Sequence, residues 1–287
     1  MSIRADGDIS FSGGMISVNA SGGTGGSGSS NGFNGYNGST LIGAGGNMEV
    51  GGSNFGSMYG DLRLFAGGTL NIADDLWVDS GSLVLGGGEV ALNGTQARSS
   101  YDTVVAAGSL LLDGGASIGA AGNLLVIAGS VMLDNNSYLE SGVNTSVTSA
   151  GDIRLNNGSY ILGNDIQLNL AGSTSTLFLN EAPGASPSTI GAISPDTIYL
   201  NYLGRSSGGL VVDGRTIDDA RVFRTEDGGS GFYANGLPAF SGAGLEVTYR
   251  DIDGPPGDFF DTIEKFLSSD DGSNKKRKTR KVGMCRS

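Results

Sequence analysis

Along much of the chain an apolar residue stands two and four places after a glycine, often with an Asp or Asn at the fifth. The clearest copies are Ala107-Gly108-Ser109-Leu110-Leu111-Leu112-Asp113, Ala128-Gly129-Ser130-Val131-Met132-Leu133-Asp134 and Ala150-Gly151-Asp152-Ile153-Arg154-Leu155-Asn156. Apolar residues at alternate places are the pattern of a strand with one buried face, and the closing Asp or Asn marks a turn. Counting on to Gly172, the glycines are 21, 22 and 21 residues apart. Backwards, the phrase runs through Gly88 (Val90, Leu92, Asn93), Gly68 (Leu70, Ile72) and Gly46 (Met48, Val50) at intervals of 20, 20 and 22. Outlying copies at Gly14 (Ile16, Val18) and Gly208 (Leu210, Val212) stand 32 and 36 residues from their neighbours, one period plus a loop. The loops are the Gly/Ser/Asn tract 21–39 and the segment 181–196, which holds Pro183, Pro187 and Pro195.

This period is too short for helical repeats of ~33 to 47 residues, and long amphipathic runs are missing. It fits one coil of a parallel β-solenoid. Within residues 109–129, the apolar runs 110–112, 116–118 and 124–127 are broken by Asp113-Gly114-Gly115 and by residues 119–122. Three short strands joined by glycine-rich corners predict a triangular coil, because glycine takes positive φ without steric cost and Asn or Asp tolerates it. Stacked coils pair each strand with its copies at about 4.8 Å, so nine coils span roughly 40 Å. No coil buries a core alone; each needs its neighbours. The predicted fold is all-β, a single-stranded parallel β-helix over residues 1–214, right-handed because parallel crossovers strongly favour that hand.

After Gly214 the repeat fades. Residues 221–224, 231–234 and 245–250 read as strands of a terminal cap spanning 215–254, which shields the edge of the last coil. Pro255-Pro256-Gly257 stops them. Asp258 then caps a short amphipathic helix within 255–268, with Phe259, Phe260, Ile263, Phe266 and Leu267 on one side. The remaining stretch, 269–287, is polar and basic and is predicted to be a disordered tail.

Composition narrows the class. Of 287 residues 52 are Gly and 6 are Pro, without the Gly-X-Y period of collagen. The one cysteine, Cys285, leaves no internal disulfide framework. The first ten residues lack the apolar core of a signal peptide, and no apolar run reaches the ~20 residues that span a bilayer. As written, the chain is expected neither to export itself nor to insert in a membrane. All five lysines fall after residue 264; residues 1–264 hold 9 Arg against 27 Asp and Glu, net −18, and the remainder is +6. So acidic a body argues against nucleic acid and anionic membranes as partners. Lysine-free, Gly/Asn/Ser-rich strands suit secreted bacterial surface proteins.

Candidate chemistry is sparse. The chain has no histidine, which removes Ser-His-Asp and Cys-His sites and the usual zinc sites. Cys285 has no base beside it. The tract 21–39 lacks the Gly-Lys-Ser/Thr of a phosphate loop and the aspartate of calcium-binding nonapeptides. Parallel β-helices also host polysaccharide lyases and glycoside hydrolases, which need paired carboxylates, or acids with Arg and calcium. The candidates for such a site are Asp113 and Asp134 on adjacent coils, with Asp152 and Arg154. Asp113, Asp134, Asn93 and Asn156 share one corner, however, which turn geometry explains. Asp74-Asp75 and Asp218-Asp219 read as solvated turns. No catalytic, cofactor or metal site is predicted.

The Gly-anchored coils, with phrases such as Ala150-Gly151-Asp152-Ile153-Arg154-Leu155-Asn156-Asn157-Gly158-Ser159 and Ala66-Gly67-Gly68-Thr69-Leu70-Asn71-Ile72, resemble the filamentous haemagglutinin-like exoproteins of two-partner secretion systems. The resemblance covers roughly residues 5–214 and is one of repeat style. It implies a large right-handed β-helix, exported through an outer-membrane transporter and serving as adhesin, contact factor or biofilm component against a host or bacterial surface receptor. The Asn-Pro-Asn motifs of the family's secretion domain are not in the chain, so a C-terminal piece of a longer exoprotein is expected. Some members end in a cysteine-containing segment that holds the C-terminus at the transporter, and Cys285 with the basic run is similar to it.

Overall fold

The computed structural model describes residues 2–11, 33–34, 40–51, 55–193, 197–222, 233–234, 237–242 and 244–250. They form a parallel β-solenoid whose strands pair with their counterparts one coil away. On the first face one register row runs Thr40, Leu62, Leu83, Thr103, Leu124, Thr145, Ile166, with steps of 20 to 22 residues, and continues to Ile198 and Leu245. The second face stacks Met48–Val50, Thr69–Ile72 and their successors up to Leu210–Val212. A nine-stranded third sheet completes the coil.

Alternation decides what is buried. Ile42, Leu64, Leu85, Val105, Val126, Val147, Leu168 and Leu200 form one continuous inward row, all 0% exposed. A second row, from Ile72 through Leu92, Leu112, Leu133 and Leu155 to Leu179, meets it from the neighbouring face and is also buried. Where the third face returns to the first, hydroxyls replace aliphatics in two of the coils. Buried Ser99 and Thr103 lie 2.8 Å apart, as do Ser141 and Thr145, and the threonine hydroxyls donate to the carbonyls of Gly119 and Leu162. Hydroxyls buried this way cost little because each finds a partner.

In the central coils the first two faces belong to one long strand, as in Thr103–Asp113, bent at the repeat glycine. The bend brings successive coils close: a Cβ on Gly108 would lie 2.4 Å from the Gly88 carbonyl oxygen, and one on Gly129 2.3 Å from that of Gly108. The glycine recurs because backbone from the next coil occupies the side-chain space.

Several expectations shift. The first copy of the phrase is at Gly7, not Gly14: Ile9 and Phe11 pair with Met48 and Val50, and Gly46 N–H donates to the Gly7 carbonyl at 3.1 Å. Ile9-Ser10-Phe11 has the same alternation as Ile16–Val18, which lies outside the described residues. The expected loops carry strands of the third face, Phe33–Asn34 in one and Thr189–Ala192 in the other. The boundary drawn at 214 is early for two faces, since Phe240–Ser241 and Gly244–Tyr249 still pair in parallel with the stack. On the second face Arg215–Ile217 folds back antiparallel on Leu210–Val212 through Asp213 and Gly214, both at positive φ. Ala220–Val222 is a 3-10 turn where a strand from residue 221 is expected, and the Ala220 N–H donates to the Tyr249 hydroxyl at 3.0 Å. The expected helix in 255–268 and the tail 269–287 lie outside the described residues.

Candidate functional site

The corner carrying Asp113 and Asp134 turns the chain from the second face to the third. Asp113-Gly114-Gly115-Ala116, Asp134-Asn135-Asn136-Ser137 and Asn156-Asn157-Gly158-Ser159 each place two central residues at positive φ, between 53° and 82°. In each, the fourth residue's N–H donates to the first residue's carbonyl at 3.1 to 3.2 Å. These are primed turns, which require Gly or Asn at the centre. Asp113 Oδ1 accepts from its own turn's Gly114 N–H and from Asn135 Nδ2 of the next coil, both at 2.7 Å. Asp134 Oδ1 does the same with the Asn135 N–H at 2.8 Å and Asn157 Nδ2 at 2.6 Å. The two candidate carboxylates are thus rungs of a ladder joining coils, with Asn93 one coil below Asp113 in register.

Arg154 and Asp152 do not join them. Arg154 bridges Asp152, at 2.7 Å, and Glu181, and its guanidinium lies 4.1 Å from the Phe178 ring centroid on the next coil. Asp152 Oδ1 also accepts the Thr176 N–H. Asp75 accepts the Gln96 N–H at 2.9 Å, and exposed Asp219 is forked by Arg221, whose guanidinium holds its carboxyl below the usual range. No group of three or more His, Cys, Asp or Glu suited to a metal ion occurs among the described residues. Among the same residues no helix is long and apolar enough to cross a membrane. Cys285, and the tract 21–39 apart from 33–34, lie outside them.

A different place gathers more chemistry. On the third face Trp77, Arg98, Gly119 and Glu140 form one outward row, each 21 residues after the last and in register across four coils. They line a shallow groove of about 410 Å³, whose other wall is the corner with Asp79, Ser100, Ala121 and Gly142. Trp77 is 46% exposed. The Arg98 guanidinium donates to the Tyr138 hydroxyl at 2.5 Å and lies 3.6 Å from Glu140. It reaches Glu140 past Gly119, where a Cβ would approach Arg98 Cγ at 3.3 Å. Tyr138 stacks on Tyr160, ring centroids 4.6 Å apart. Burial pushes the Tyr160 hydroxyl pKa up, with Tyr138 and Glu140 adding to the shift and Arg98 opposing it.

The glycine-anchored phrase does not include this row, although its strict spacing is visible in the sequence. Each member directly follows an inward residue (Leu76, Ala97, Ile118, Leu139), so its outward direction follows from alternation. Comparison with protein families, with curated proteins and with solved structures finds no match to the chain.

Proposed function

We propose that the chain is a structural, non-catalytic stalk of a secreted bacterial surface exoprotein of the two-partner secretion kind, serving adhesion, contact or biofilm formation. The observation that carries this reading is the uninterrupted stack: the same three faces repeat in register and one aliphatic row runs through successive coils. Such an array gains length one coil at a time and transmits load through ladder hydrogen bonds, the properties a surface spacer needs. In this reading its partners are an outer-membrane transporter during export and a receptor on a host or bacterial surface afterwards.

The competing reading is a carbohydrate-active β-helix, a polysaccharide lyase or glycoside hydrolase using Asp134. What weighs against it is the engagement of Asp113 and Asp134 by backbone and Asn donors in the ladder. The test is turnover. The intact protein, incubated with homogalacturonan, alginate, xylan and β-glucan, is expected to release no new reducing or unsaturated ends. Cleavage that Asp134→Ala abolishes while leaving the fold intact overturns the stalk reading.

A further inference from the structure

We propose that the outward groove of the third face binds a neutral, extended oligosaccharide laid along the direction in which the coils stack. Trp77 is the chain's one tryptophan and nearly half of its surface is open to solvent. Large aromatics normally contribute to cores or contact surfaces, and an indole offers a flat apolar face with a polar edge. A pyranose ring is its complement, apolar across its C–H faces and polar around its hydroxyl rim. The groups that meet such a rim stand on the next coils. Arg98 is held by Tyr138 and Glu140, and its buried Nε has no hydrogen-bond partner in the protein. A guanidinium and a carboxylate fixed side by side present donors and acceptors to vicinal hydroxyls without first having to be ordered. Gly119 supplies the depth, because any larger residue between Arg98 and Glu140 fills the floor.

Charge selects among sugars. Arg98 is matched by Glu140, Asp79 adds a negative charge at the wall, and residues 1–264 carry net −18. Uronic and sulfated polymers are repelled by that field, and neutral ones are not. Length follows from the spacing of the row. Glu140 lies three register steps beyond Trp77, about 14 Å at ~4.8 Å per coil. An apolar indole face at one end and a fixed charge pair toward the other suit several linked rings rather than one monosaccharide. The inference goes beyond the stalk reading and does not depend on it, since the groove is the same wherever the protein resides.

Because Trp77 is the only tryptophan, its fluorescence reports on this groove directly. The full chain is titrated with cellohexaose, maltohexaose, xylohexaose and chitohexaose, and with hexagalacturonate as the charged probe. A saturable emission shift with at least one neutral hexamer, and none with hexagalacturonate, is expected. Gly119→Val keeps the reporter and closes the notch, and Arg98→Ala removes the rim donor. Each should weaken binding by about tenfold or more, as loss of a central contact does. Trp77→Ala, followed by calorimetry, should abolish it. All three residues face outward, and unchanged circular dichroism and urea midpoints identify folded variants. Flat titrations with every neutral hexamer overturn the proposal; so does preference for hexagalacturonate, or undiminished binding in Gly119→Val and Trp77→Ala.

Discussion

The repeat glycine makes a sharp prediction through the pair Gly108→Ala and Gly43→Ala. At Gly108 the new methyl would stand 2.4 Å from the Gly88 carbonyl oxygen, and backbone on both sides leaves no flexible side chain to yield. To reach even 3.0 Å, two coils must part by about 0.6 Å at a corner flanked by ladder pairs on both faces. Overpacking of this kind costs about 1 to 3 kcal/mol. Gly43 also lies on the first face, but its Cβ would meet only Arg4 Cγ at 3.9 Å, and its φ is not in the left-handed region. There alanine should stabilise by ~0.4 to 1 kcal/mol, chiefly by restricting the unfolded chain. Urea unfolding of the full chain, followed by far-ultraviolet circular dichroism, measures both. The midpoints should move in opposite directions with the slope unchanged. If Gly108→Ala is as stable as the parent, or both variants shift alike, close coil approach is not what selects the repeat glycine.

Other perturbations probe the remaining parts of the account. Leu112→Ala, at 0% exposure between Leu92 and Leu133, should cost ~2 to 5 kcal/mol in the same assay. Asn135→Gly keeps the positive φ and loses only the bond to Asp113, a cost of ~0.5 to 1.5 kcal/mol. Asn135→Ala should cost a further ~1 to 2 kcal/mol for the left-handed backbone. Burial, and then the stacked Tyr249, raise the pKa of Tyr202, whose hydroxyl donates to the Gly209 carbonyl at 2.7 Å. The unfolded chain ionises this group near pH 10 while the folded chain keeps its proton, so its contribution is complete below about pH 10 and is lost as pH rises toward the folded value. Alkaline unfolding scans should therefore be shallower for Tyr202→Phe. Deleting residues 268–287 from the full-length protein should move it from cell surface to medium in fractionation, if Cys285 and the basic run hold it at the transporter.

Much of the fold was legible because the solenoid writes its period into the chain. Glycines at the bends and paired aliphatics two and four places on give the second face directly, from Met48 to Val212. The third face was harder to see. Its strands are short and mix small and polar residues, so Thr189-Ile190-Gly191-Ala192 reads as loop between prolines. Yet it repeats Ser117-Ile118-Gly119-Ala120 almost residue for residue, and Ile118, Leu139, Ile161 and Ile190 share one buried row. The end of the stack was obscured for another reason. The paired positions Ile198 and Leu245 stand 47 residues apart, more than twice the ordinary step, and a fixed period cannot follow so long an insertion. For the site, spacing alone places the corner aspartates in turns, and the hydrogen bonds give the cause. The groove is not legible as a cluster along the sequence. Its members are single outward residues from four coils, assembled only by register.

The surface-stalk account is tested most directly by the size and location of the native protein, read with antibody to the solenoid on fractionated source cells and medium. It predicts a species well above 29.0 kDa at the cell surface or in the medium. A 29.0 kDa species confined to the cytosol would contradict it.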